Sequence, residues 1–189
     1  TLQADAEQNR ALLSELRRPT FVSTPDLIDD VPWAQWCPVV VDAAPFAPRE
    51  APFRGAVPRV LHASSSGVQK GTHLIAPVLE QLSAQGLIEY ELVTGAASAD
   101  MPGRFAAADI VLDQFRLGSY GVAACEAMAS ARVVVGHVLP AVRERVREAT
   151  GLELPIVEAT PDTLAAVLEE LISDPEGARR IAARGSEFV

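Results

Sequence analysis

Beyond residue 57 the apolar positions fall into two alternating patterns. Largely apolar runs, at 57–62, 88–93, 108–112, 132–136 and 154–157, have the length and β-branched content of buried strands. Between them lie segments with apolar residues at helical spacing. The clearest covers about 72–85, where Leu74, Ile75, Val78, Leu79 and Leu82 share a stripe and Gly86 supplies a C-terminal stop. Pro77 falls inside it and predicts a kink or a later start. Further helices are predicted at about 121–130 and 139–149. Another starts at Thr160-Pro161-Asp162, where a capping Thr precedes Pro at the first helical position, and it carries Leu164, Val167, Leu168, Leu171 and Ile172. Asp174-Pro175 opens a last helix. Five strands apolar on both faces and separated by helices predict a buried parallel sheet. Right-handed crossovers then make an α/β, doubly wound, Rossmann-like domain, with ligands in the crevice beyond the carboxyl ends of the strands.

The first 57 residues follow another pattern. About 4–17 reads as a helix with Leu12, Leu13 and Leu16 on one side, ended by Pro19. Residues 20–23 and 38–41 are short β-like runs. Asp26, Asp29, Asp30 and Pro32 mark turn-rich chain between them, with Trp33 and Trp36 as anchors. Pro45, Pro48, Pro52 and Pro58 then make a semi-rigid linker. The chain begins without methionine inside a predicted helix and stops abruptly at Val189, so a piece of a larger protein is expected. The expected organisation is a partial first domain over 1–42, a linker over 43–57 and the Rossmann-like domain over 58–189.

Composition narrows the classes of function. The 189 residues are 49% apolar and 22% charged, and a chain of this length buries about 70% of its unfolded surface, so it can build a core without disulfides or metal. No stretch nears the ~18 apolar residues of a membrane span. A net charge of −9 argues against a nucleic-acid or anionic-membrane surface. The groups Arg143, Arg145, Arg147 and Arg179, Arg180, Arg184 are interleaved with Glu and Ala and read as solvated helix faces. Cys37 and Cys125 lie far apart with no CxxC, so a reducing cytoplasm fits. His62, His73 and His137 lack metal-ligand spacing, and neither metal nor cofactor is expected. All 16 basic residues but Lys70 are Arg. Arg-rich codon usage could leave one lysine by chance; the other reading is a site that needs a compact ammonium on a flexible stem.

Two carboxyl-end loops carry candidate chemistry. The first runs His62-Ala63-Ser64-Ser65-Ser66-Gly67-Val68-Gln69-Lys70-Gly71-Thr72. Hydroxyls, amides freed by glycine, a helix N-terminus and one ammonium suit a phosphate, although such Ser/Gly loops also occur as plain turns. The loop is neither a Walker A sequence nor GxGxxG. The second runs from Asp113 through Gly118, Ser119, Tyr120 and Gly121 into a helix of small apolar residues whose only charge is Glu126. A carboxylate there needs a partner. Either a neighbouring Arg pairs with it, or it accepts hydrogen bonds from a polyol such as a ribose.

At these loops the chain resembles a known family. "KGT", "AADIVLDQF" and "GSYGVAACEAMASARVVV" are similar to the C-terminal domain of family-4-like, GT-B-fold glycosyltransferases, over about residues 59–189. "FVSTPDL" and "WCPVVVD" look like the end of the N-terminal domain. The resemblance implies the C-terminal half of a two-domain GT-B fold, with a nucleotide-sugar donor lying against it. It implies that Lys70 meets the diphosphate beside Ser65, Ser66, Gly67 and Gly71, that the turn Gly118, Ser119, Tyr120, Gly121 lies against the diphosphate and donor sugar, and that Glu126 binds the ribose. The family pattern has Glu where this chain has Gly118 and Arg where it has Ser65, which puts donor identity and activity in question. No catalytic residue is assigned.

The resemblance implies a hexosyltransferase that moves a sugar, with retention and without metal, to a sugar, lipid-linked or small-molecule acceptor held by a missing N-terminal domain. The fragment alone is then expected to be inactive. A non-catalytic nucleotide-sugar binding domain and a sugar-nucleotide epimerase of the same architecture are the alternatives.

Overall fold

The computed structural model describes residues 2–48, 50–64 and 67–189. The chain forms two compact units, Thr1–Val40 and Val41–Val189. In the first, helix α1 (Leu2–Leu16) precedes two short parallel strands, β1 (Phe21–Val22) and β2 (Gln35–Trp36), with a 3-10 turn over Pro25–Ile28 between them. Val22 and Pro25 are buried, whereas Leu12, Leu16, Phe21 and Trp33 are exposed. The β-like run expected at 38–41 forms no strand, and Val40 is 91% exposed. The strand that pairs with β1 lies earlier, at Gln35–Trp36, where Gln35 donates to the Thr20 carbonyl and Cys37 to that of Val22. The indole of Trp36 bonds the Ser23 carbonyl (3.3 Å), but Trp33 is no anchor at 43% exposure.

The second unit holds the predicted sheet. Its strands are β3 (Arg59–Ala63), β4 (Glu89–Val93), β5 (Ile110–Leu112), β6 (Val133–Gly136) and β7 (Ile156–Glu158), all parallel, in the order β4-β3-β5-β6-β7. A one-turn helix α2 (Gly67–Lys70) and α3 (Thr72–Ala84) follow β3. Then come α4 (Met101–Ala107), α5 (Val122–Ala129), α6 (Pro140–Thr150), α7 (Leu164–Ser173) and α8 (Pro175–Phe188). With right-handed crossovers this order puts α3 on one face and α4 to α6 on the other. The first face buries Val60, Ile110, Leu112, Val133 and Val135 beneath Ile75, Leu79 and Leu82 of α3 and Leu164, Leu168 and Leu171 of α7. Alternation turns Leu61, Val111 and Val134 to the second, and all three are buried.

Several details differ from the pattern. Pro77 lies inside α3, which runs unbroken from Thr72 and stops before Gly86 at φ +72°. The helix expected from Thr160 starts at Leu164 instead. The Thr163 hydroxyl accepts the Thr160 amide (2.9 Å) and the Thr163 amide reaches the Thr160 carbonyl (3.1 Å), closing a turn that precedes the helix. Asp174 does cap α8, taking the Gly177 amide at 2.8 Å.

The proline-rich stretch is packed chain and belongs to the second unit. Phe53 is buried in the core, and Phe46 stacks on Phe105 at 6.1 Å. Arg179 donates to the carbonyls of Pro52 and Phe53. Arg132, 2% exposed, donates to the carbonyls of Ser130, Ala108 and Glu50. Arg143, read as solvated, likewise donates to the carbonyls of Val138, Leu154 and Ile156. A guanidinium offers five donors in a fixed fork, which suits it to bind several carbonyls at once.

Candidate functional site

The strand order reverses direction between β3 and β5, and a doubly wound sheet opens its crevice at such a point. Lys70 ends the one-turn helix after β3, and Asp113 directly follows β5. Their side chains meet there, Lys70 Nζ to Asp113 Oδ1 at 2.7 Å. Asp113 Oδ2 accepts the Gly121 amide at 2.9 Å. The carboxylate is 2% exposed, while the lysine keeps 18%. Two further bonds stitch the loops: the Phe115 amide donates to the Lys70 carbonyl (3.0 Å), and Arg116 Nη1 to that of Val68 (3.1 Å). Gly71 sits between α2 and α3 at φ +74°, where a Cβ would lie 3.2 Å from Leu74 Cδ1 and 3.4 Å from Arg116 Cβ. Glycine is what lets the two loops close.

Behind Lys70, His62 is fully buried. Its Nδ1 donates to the Leu112 carbonyl (2.9 Å), which fixes the tautomer, and its Nε2 lies 2.8 Å from Thr72 Oγ1. Burial pushes its pKa down and Lys70 adds to this, while the Leu112 carbonyl and Asp113 oppose it. Ser64 Oγ, 3.3 Å from Thr72 Oγ1, extends the chain of polar groups beneath the loop.

Glu126 stands on α5, which begins just after Gly121. It is partly buried, and among the described residues no hydrogen bond or ion pair reaches its carboxylate. Burial raises its pKa, against the field of Lys70. Of the two readings of this carboxylate, the pairing with a neighbouring Arg is not found among the described residues.

The turn between Asp113 and α5 is closely packed. Gly118, Ser119 and Tyr120 are buried and Gly121 is partly exposed. Gly118 adopts φ +71°, and a Cβ on it would fall 2.5 Å from Leu139 Cγ. Its carbonyl accepts the Leu139 amide at 2.9 Å. Side chains longer than hydrogen are therefore excluded unless Leu139 moves. Among the described residues the buried Ser119 hydroxyl has no hydrogen-bond partner, and burial pushes the Tyr120 phenol up to about 12, with Cys125 adding to the effect.

The structure thus brings Lys70, the 118–121 turn and Glu126 around one crevice. Gly67 opens α2 and is exposed; Ser65 and Ser66 lie outside the described residues. Asp113, His62, Thr72 and Arg116 had no role assigned from sequence. Asp113 left a signal nonetheless: it is a carboxylate directly ending an apolar strand in a chain with one lysine. A separate groove of about 750 Å³ runs along β7, α7 and α8 and is lined by Val167, Leu171, Ile181 and Arg184; none of the crevice residues borders it.

The fold is that of GT-B glycosyltransferase domains. The chain superposes on Anabaena HepE, a crystal structure in complex with UDP and glucose, with a TM-score of 0.74 and 16% identity over 98% of this chain and 61% of that one. HepE in complex with UDP-glucose gives 0.72 at 15% identity, over 98% of this chain and 62% of that one. The C-terminal domain of a glycosyl transferase group 1 family protein (LpcC) from Francisella tularensis gives 0.53 at 18% identity, over 79% of this chain and 96% of that domain. This chain therefore spans less than two thirds of HepE. No family model and no curated protein sequence matches it.

Proposed function

We propose that the chain binds a nucleotide-diphosphate sugar and is the donor-binding part of a glycosyltransferase. The observation that carries this reading is the junction at the switch point: Lys70 held by Asp113, Asp113 held by Gly121, and Glu126, within the field of Lys70 and without a partner among the described residues. An ammonium has three donors, so Lys70 can keep Asp113 and still meet a diphosphate. The first-loop groups, Gly67 and Gly71 with Ser65 and Ser66, serve the same phosphates. The backbone of 118–121 lies against the diphosphate and sugar, and Glu126 accepts the ribose hydroxyls. HepE, bound to UDP and to UDP-glucose, supports the ligand class. The reaction we propose is retaining transfer of the sugar to an acceptor held outside this chain.

Nucleotide binding tests the site. Lys70→Met should weaken UDP by about 10- to 150-fold, the worth of roughly 1.5–3 kcal/mol for a charged hydrogen bond, and leave uridine nearly unchanged. The double variant Lys70→Met/Asp113→Asn removes the stranded buried carboxylate and should bind UDP equally weakly. Glu126→Gln should weaken uridine itself. UDP binding like the parent in both lysine variants would remove Lys70 from the site.

One observation favours a second reading. Gly118 is locked where the family pattern carries Glu, which suits a binding domain without catalysis. Turnover of UDP-sugars by the longest soluble form of the protein separates the two.

A further inference from the structure

We infer that Asp113 is a positioning residue that holds the Lys70 ammonium off Glu126 and so keeps Glu126 open to nucleoside hydroxyls, an inference resting on the nucleotide-site reading above. The crevice contains one ammonium and two carboxylates. Asp113, almost fully buried, cannot be left without a cation. Both its oxygens are committed, one to Lys70 at 2.7 Å and the other to the Gly121 amide at 2.9 Å. The Gly121 amide leads directly into α5, so the carboxylate that holds the lysine is anchored to the helix that carries Glu126. Glu126, by contrast, has no hydrogen bond or ion pair among the described residues, and Lys70 is the cation whose field reaches it. Two further titratable groups face these charges: His62 is tied to Leu112 and Thr72, and the Cys125 thiol, which burial, Asp113 and Glu126 push up to about 11, stays neutral and offers Lys70 no charge.

A lysine reaches its partner through a flexible four-carbon stem. With the Asp113 charge removed, Glu126 is the carboxylate left to attract the ammonium. That pairing would mask both ligand groups together, since the diphosphate would lose its ammonium and the ribose its acceptor. The buried Asp113 thus keeps two ligand-binding charges apart in the empty site.

The test is an NMR-monitored titration of uridine and UDP into the 189-residue parent, Lys70→Met, Asp113→Asn and Lys70→Met/Asp113→Asn. Asp113→Asn should weaken uridine about 10-fold, the loss of hydrogen bonds to a charged acceptor. In the double variant uridine should return to within about 2-fold of the parent, because no ammonium remains to cover Glu126, while UDP stays as weak as in Lys70→Met. Unchanged uridine binding in Asp113→Asn overturns the inference. So does failure of the double variant to recover uridine, which would make Asp113 merely a support for the Gly121 turn. The double variant replaces an ion pair by neutral groups of similar size and keeps the test open if Asp113→Asn alone folds poorly. If Lys70→Met leaves UDP binding intact, or Glu126→Gln leaves uridine binding intact, it is the nucleotide-site reading that fails instead.

Discussion

At the scale of single residues, Gly118 shows how this crevice differs from the family pattern its sequence resembles. A glutamate at this position would need a left-handed backbone and would drive its Cβ into Leu139. In this chain the turn is packed around glycine, with Leu139 filling the space and donating its amide to the Gly118 carbonyl. Gly118→Ala should cost about 2–5 kcal/mol, from a left-handed non-glycine residue at roughly 1–2 and overpacking at roughly 1–3. Urea denaturation measures it. Adding Leu139→Ala should recover the overpacking part and leave the backbone part, since Leu139 is itself largely exposed and its own truncation is cheap. A cost below about 0.5 kcal/mol for Gly118→Ala would mean that the turn is looser than its packing shows.

At the scale of elements, His62 joins three of them: it sits in β3, donates to the end of β5 and meets the first residue of α3. Its folded pKa is lowered, chiefly by burial, so the unfolded chain takes up the proton first as pH falls. The stability it contributes is complete above about 6.5, the unfolded value, and declines below it until the folded value is passed. Between pH 7.5 and 5.5 the parent should lose up to about 1.4 kcal/mol per pH unit below 6.5 relative to His62→Gln, read from urea midpoints at each pH. Parallel pH profiles for the two would show that His62 is charged in the folded chain.

The elements also show what the sequence made legible. Apolar runs marked the inner strands β3, β5 and β6, because a parallel strand covered on both faces has no polar alternation to blur it, while the edge strand β4 was marked by Ile88, Tyr90, Leu92 and Val93 around the exposed Glu89 and Glu91. The stripe of α3 and the Asp174 cap of α8 were equally plain. The misplaced strand at 38–41 and the late start of α7 come from local turns whose hydrogen bonds carry no periodic signature. The short α4 has too few turns to show a period. In the crevice, Lys70 and Glu126 stood out as lone charges in apolar or arginine-rich surroundings. Asp113 and His62 did not, since their importance lies in partners 43 and 50 residues away. The tethering of the proline-rich stretch by Arg132 was hidden for the same reason.

At the scale of the second unit, the buried ion pair of Lys70 and Asp113 lies where the strand order of the doubly wound sheet reverses. That coincidence of topology and chemistry supports the donor-site proposal more than either does alone. The groove of about 750 Å³ along β7, α7 and α8 borders neither Lys70 nor Glu126. Amide chemical-shift mapping of the isotope-labelled 189-residue chain with UDP distinguishes the two places directly. The account predicts that the perturbed amides cluster at Lys70, Gly71, Gly121 and Glu126, with weaker effects at Thr72 and Asp113. Perturbations confined to Val167, Leu171, Ile181 and Arg184, or none at millimolar UDP, would contradict it.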